Sequence, residues 1–88
     1  MANIMNNDLE ELDKLAEHIQ RQVIITYGRQ YTHALIMDML LATSADTEKA
    51  ISSACLILED PRAASVSLFV QVLDEAIELQ KRHNEKNT

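Results

Sequence analysis

The stretch that decides the fold covers residues 60–82 and reads DPRAASVSLFVQVLDEAIELQKR. Within 65–72, apolar and polar residues alternate over 65–68 and again over 70–72, which is typical of a strand. Two stronger signals favour a helix. Asp60 and Pro61 suit the cap and the first position of a helix, and the second half of the stretch is rich in strong helix formers. We therefore predict a helix over 62–80, and with it an all-α chain.

The composition agrees with an all-α fold. The 88 residues include one Gly and one Pro, too few for the many turns of a sandwich or barrel. Hydrophobic residues make up 47% of the chain, which excludes simple disorder. We expect one small domain over 1–88 with a thin stability margin, and frayed termini at about 1–7 and 84–88.

Upstream of residue 60, apolar residues recur every three or four positions, as they do on one face of a helix. The first such stripe predicts a helix at about 8–27, ending at Gly28, where a C-terminal cap favours positive φ. Its members are Leu9, Leu12, Leu15, Ala16, Ile19, Val23 and Tyr27. A second helix opens at Gln30, Tyr31 or Thr32.

The second helix is apolar on nearly all sides over 34–42, which is typical of a central helix or of one at a subunit contact. Thr43 and Ser44 mark a break or a kink, and Ser44, Asp46 and Glu48 form an acceptable helix start. Helices two and three are therefore either separate or one bent helix. The predicted fold is a small all-α bundle of about four helices, arranged as two helical hairpins and oligomeric.

Part of the third helix resembles a known repeat. DTEKAI at 46–51, followed by EDP at 59–61, is similar to the second helix and exit of a tetratricopeptide repeat. The resemblance covers under half of the chain, with Asp38 where the repeat has a small residue and no second copy 34 residues further on. It implies a hairpin of packed helices, in the style of small helical chaperones and adaptors of bacteria, with Ala50 and Ala54 at the helix contact.

The charge and the cysteine content indicate the class of partner and the cellular compartment. Fourteen acidic and eight basic residues give a net charge of −6, which repels a phosphate backbone. The N-terminus has no basic segment before an apolar one, and apolar runs reach four residues, whereas a membrane span needs about 20. The single Cys55 cannot form an internal disulfide. We expect a soluble cytoplasmic protein that binds neither nucleic acid nor membrane.

The sequence offers no support for an enzyme. His18, His33 and His83 are not spaced as ligands on one helix face, and one Gly cannot form a phosphate-binding loop. Cys55 lies beside an apolar stripe, which predicts an inert, partly buried thiol. We therefore expect no catalytic residue, no metal and no cofactor.

Apolar residues outside the core stripes are more informative, because each helix of a small bundle buries one stripe. We interpret these residues as anchors for a protein partner; they are Ile24, Ile25, Met37, Met39, Leu68, Val72 and Leu79. The hypothesis is a non-enzymatic interaction module, a small bacterial or phage regulator, adaptor or chaperone, and a homodimer or part of a heteromer. The alternative is an acidic inhibitor that mimics nucleic acid or blocks a basic cleft, using Asp8, Glu10, Glu11, Asp13 and Glu17.

Overall fold

A computed structural model describes the backbone of residues 2–86 and the side chains of residues 7–85. That part of the chain contains four α-helices and no strand: α1 (Ala2–Tyr27), α2 (His33–Ser44), α3 (Thr47–Glu59) and α4 (Ala64–Lys86). The all-α prediction is confirmed, and the alternating stretch 65–72 is helical. Met1 and residues 87 and 88, at the ends predicted to fray, lie outside the described residues.

Local capping chemistry explains where the helices begin and end. Gly28 has a φ of 67° after α1, as predicted for a C-terminal cap. Thr32 caps α2 by accepting a hydrogen bond from the Leu35 N–H at 3.1 Å. Asp46 caps α3 by accepting one from the Lys49 N–H at 2.8 Å. Helices α2 and α3 are therefore separate, joined by Ala45 and Asp46.

Two predicted helix starts are wrong. Helix α1 begins at Ala2 and not at residue 8, because the residues before Asp8 contain no Gly or Pro that would stop the helix. Asp60 and Pro61 do not open α4. The Ala63 N–H donates to the Asp60 carbonyl at 3.1 Å, which closes a turn with Pro61 at its second position, and α4 starts at Ala64.

The core combines most of the stripe predicted on α1 with residues from the other three helices and the first loop. Its buried members are Leu12, Ala16, Ile19 and Val23 of α1, Tyr31 of the first loop, Ile36 and Leu40 of α2, Ala50, Ala54 and Ile57 of α3, and Val66, Phe69, Val70 and Leu73 of α4. Leu9, placed in the α1 stripe by its spacing, is instead exposed, since it lies one turn ahead of the buried residues.

The helices do not pair as two consecutive hairpins. Helix α1 packs most extensively on α3, and α2 contacts α1, α3 and α4. Helices α3 and α4, although adjacent in sequence, make little contact with each other. The central position of α2 explains its apolar character, because neighbours cover it on several sides. The separation of α3 from α4 leaves an opening between them with α2 beneath.

Candidate functional site: an apolar groove between α3 and α4

The opening between α3 and α4 is an apolar groove of about 260 Å³. Each of the last three helices contributes to it. Its lining consists of Leu40 and Thr43 from α2, Ser53, Leu56 and Ile57 from α3, and Ser65, Leu68, Phe69 and Val72 from α4. A concave, mostly apolar surface with a few polar groups is the usual form of a binding site.

Two leucines stand exposed on opposite walls of the groove. Leu56 on α3 is 66% exposed and Leu68 on α4 is 62% exposed, while Val72 is half-buried. None of the lining residues carries a charge, although a quarter of the chain is charged. Exposed apolar side chains in an uncharged patch are characteristic of the centre of a protein interface.

Two of the three polar side chains at the groove, those of Thr43 and Ser53, are engaged within the protein. The Thr43 hydroxyl donates to the carbonyl of Met39 in the same helix at 2.9 Å. The Ser53 hydroxyl lies 3.4 Å from that of Ser44, the buried last residue of α2. A ligand in this groove therefore gains chiefly by burying apolar surface, and hydrogen bonds contribute less.

Two tyrosines position the α4 wall of the groove. The Tyr31 hydroxyl donates to Asp74 Oδ1 at 2.7 Å, and Arg29 Nη1 lies 3.8 Å from the other oxygen of that carboxylate. The Tyr27 hydroxyl donates to the Pro61 carbonyl at 2.9 Å. The connection between α1 and α2 is thus attached to α4 and to the turn that precedes it.

The environment of Tyr31 strongly favours its neutral form. Burial is the largest cause, and the hydrogen bond and negative charge of Asp74 act in the same direction, while Arg29 acts against them. Together they raise the pKa of the Tyr31 phenol well above its ordinary value. The hydroxyl therefore stays a hydrogen-bond donor throughout the neutral pH range.

The seven predicted anchors do not lie on one surface. Leu68 and Val72 line the groove, and Leu79 is exposed further along α4, beside Glu75, Glu78 and Arg82. Met37 and Met39 are half-buried and pack against the core, Met37 near Leu9. Ile24 and Ile25 are exposed on α1, and neither lines the groove.

Leu56 was missed by sequence reasoning, although the signal for it existed. At about 100° per residue, Leu56 lies roughly 130° from the middle of the stripe formed by Ala50, Ala54 and Ile57, the core residues of α3. The sequence alone therefore marks Leu56 as an apolar residue outside the core stripe of its helix, like Leu68 and Val72 on the opposite wall of the groove.

The side chains considered for other chemistry have ordinary surroundings. Cys55 is exposed, so the prediction of a partly buried thiol is wrong; it lies on the side of α3 away from Ala50 and Ala54. His33 Nε2 is within hydrogen-bond distance of the Asp13 carbonyl and carboxylate, at 2.9 and 3.0 Å. Among the described residues, no group of three or more His, Cys, Asp or Glu side chains could hold a metal ion.

The acidic face of α1 has a mixed charge pattern. Glu10, Glu11, Asp13 and Glu17 are exposed, and Asp8 is half-buried. Exposed Lys14 and Arg21 follow Glu10 and Glu17 at a spacing of four residues, which places opposite charges side by side on the helix. An anionic mimic of nucleic acid needs a strong negative electrostatic field, and Lys14 and Arg21 weaken that field on α1.

Comparison with known proteins does not assign a family. No protein-family model, curated protein or solved structure matches this chain. Within residues 2–86, none of the helices is both long enough and apolar enough to cross a membrane. The chemistry of the groove is therefore the best guide to what the chain does.

Proposed function

We propose that this chain is a non-enzymatic protein-binding module whose α3–α4 groove receives the apolar face of an amphipathic helix. One observation carries the proposal: Leu56 and Leu68 stand exposed on opposite walls of a groove with no charged lining residue. Helix-in-groove recognition uses apolar anchors spaced along one helix face. Small regulators, adaptors and chaperones act through such contacts, and a reducing, cytoplasmic setting remains our prediction.

The size of the groove sets a condition on the partner. Complete burial of one leucine gains about 1.5–3 kcal/mol, whereas association costs at least about 4 kcal/mol in lost freedom of motion. Covering Leu56 and Leu68 alone would therefore give weak binding. A stable complex needs about 800 Å² buried on each partner, so the bound helix must extend past the groove along α4.

A substitution series tests the proposal directly. Proteins from the native host are captured on the wild-type chain, on Leu68→Asp and on Ile25→Asp, and are quantified by mass spectrometry. Ile25 is the matched control, because it is 75% exposed and lies outside the groove. We expect the control to retain a protein that Leu68→Asp loses, since an unpaired charge is costly in an apolar contact. Equal capture by all three chains would refute docking in the groove.

Salt dependence separates the proposal from the acidic-inhibitor alternative. Electrostatic association weakens as the Debye length falls from about 30 Å at 0.01 M salt to about 10 Å at 0.1 M. We expect binding through the groove to change little over this range. Binding that collapses with salt and is lost in Glu10→Gln with Glu17→Gln, but not in Leu68→Asp, would support the alternative.

A further inference from the structure

We propose that the helix received by the groove is α4 of a second copy of this chain, packed antiparallel about a two-fold axis. In this arrangement Leu79 of each copy lies beside Leu68 of the other. The inference rests on the proposed function and specifies the partner. It draws on three observations: the exposed end of α4, the spacing of its apolar residues, and the distribution of charge at its two ends.

The C-terminal part of α4 is highly exposed in the described part of the chain. All side chains from Glu78 to Glu85 are exposed, and Leu79 is 64% exposed among them. Two helical turns with exposed side chains gain little stability from packing, because helix stability in proteins comes mainly from the burial of an apolar face. A second chain would supply that packing.

The spacing along α4 is self-complementary. Leu68, Val72 and Leu79 follow one another at intervals of four and seven residues, which places them on one face of the helix. A two-fold axis between residues 73 and 74 brings residue 79 of one antiparallel helix opposite residue 68 of the other. The same contact then occurs twice, as an isologous interface requires, and each Leu79 reaches the wall of the other copy's groove.

Charges at the two ends of α4 complement this register. The basic residues Lys81 and Arg82 of one copy come near the start of α4 in the other, next to Glu59 and Asp60. All four side chains are exposed. Antiparallel helices also place opposite ends of their dipoles together, which favours the pairing. Local attraction thus opposes the repulsion between two chains that each carry a net charge of −6.

The available area suits a reversible dimer. Helix α4 has 23 residues and is therefore about 35 Å long, and Leu56 extends the contact onto α3. A standard interface of about 800 Å² per partner would cover roughly one-eighth of the 6305 Å² that the chain exposes. Two elements are unfavourable. The two-fold axis brings both Glu75 carboxylates to the same edge of the interface, and exposed Arg62 of each copy lies at the same end as Lys81 and Arg82 of the other.

Cross-linking tests the register. In a Cys55→Ser background, Ser65→Cys and His83→Cys are made in separate chains, mixed and oxidised. The two positions are exposed on one edge of α4. The proposed register puts residue 65 of one chain opposite residue 82 of the other, which leaves residue 83 only about 1.5 Å further along the helix axis. Same-site pairs would be about 25 Å apart along the helix axis, too far for a disulfide. We expect the 65–83 link in at least ten-fold excess. Same-site links in equal or greater amount would overturn the arrangement.

The oligomeric state tests the contact independently. Light scattering should give twice the chain mass of 10.0 kDa at high micromolar concentration. Leu79→Asp and Val72→Asp should each weaken the dimer at least ten-fold, Glu75→Gln should strengthen it several-fold, and Ile25→Asp should leave it unchanged. A chain that stays monomeric at several hundred micromolar would overturn the inference. If Leu68→Asp still loses a captured protein in that case, docking in the groove stands and only the second copy is wrong.

Discussion

Removal of one buried hydroxyl group should measure how firmly α4 is attached to the rest of the protein. Tyr31 is 4% exposed, and its hydroxyl donates to Asp74 across 43 residues of sequence. Tyr31→Phe keeps the ring and its packing and deletes this bond. The bond joins the connection between α1 and α2 to α4, the helix that carries Leu68 on the wall of the groove.

The expected cost follows from the type of hydrogen bond. A bond to a charged group contributes about 1.5–3 kcal/mol. The Asp74 side chain is 37% exposed, so water replaces part of the lost interaction, and we expect the lower end, about 1.5 kcal/mol. For a domain of this size the midpoint of thermal unfolding should fall by about 6–12 °C. Tyr27→Phe is the control; its half-buried hydroxyl donates to the neutral carbonyl of Pro61, and it should cost less.

The dependence of the free energy of unfolding on pH tests the same hydrogen bond. Because the pKa of Tyr31 is raised in the folded protein, its contribution to stability is fully present below the pKa of the unfolded chain, near 10. It is lost as the pH rises above that value. Chemical denaturation at pH 7, 9 and 11 should therefore show the difference between the wild type and Tyr31→Phe shrinking at the highest pH. Equal stability of the two proteins at pH 7, or a larger loss in Tyr27→Phe, would refute the reasoning.

Three other predictions concern the loops, the core and the charge. Ala45→Gly should raise the free energy of unfolding by up to about 1 kcal/mol, because Ala45 has a φ of 70°; denaturant titration measures this, and a loss of stability would contradict it. Ala54→Leu should cost about 1–3 kcal/mol in the same titration by overfilling the core, since Ala54 is fully buried; an unchanged midpoint would show spare room beside α3. The chain should not shift duplex or single-stranded DNA or RNA in a gel at about 150 mM salt, and a micromolar shift abolished by Lys81→Ala with Arg82→Ala would overturn the charge argument.

The helices could be predicted because their signals are local. Gly28 and Asp46 act at their own positions in the chain, and so do the stripe of α1 and the helix formers in the second half of α4, whatever the distant packing. The start of α4 could not be predicted as well, since Asp-Pro suits both a helix start and a turn. The hydrogen bond from the Ala63 N–H to the Asp60 carbonyl shows that a turn forms here. No residue pattern distinguishes this turn from a helix start.

Which apolar residues remain exposed could be predicted only in part. A residue outside the core stripe of its helix is covered if a second neighbour lies on that side, and a single sequence does not show the neighbours. Met37 and Met39 are half-buried because α2 contacts three helices. Leu68 and Ile25 also lie outside core stripes and are exposed, because none of the helices within residues 2–86 covers them.

The groove exists because α3 and α4 pack on different partners. The buried alanines of α3 face a core shared chiefly with α1, while α4 packs mainly on α2 and is held by Tyr31. Two helices that are adjacent in sequence but pack on different parts of the core leave a space between them. The large side chains at that space, Leu56 and Leu68, are directed outward and do not fill it. They contribute little to the stability of the single chain, because most of their surface stays in water. Polar substitutions of these two residues should therefore change association far more than folding, as expected if the groove serves a partner and not the core.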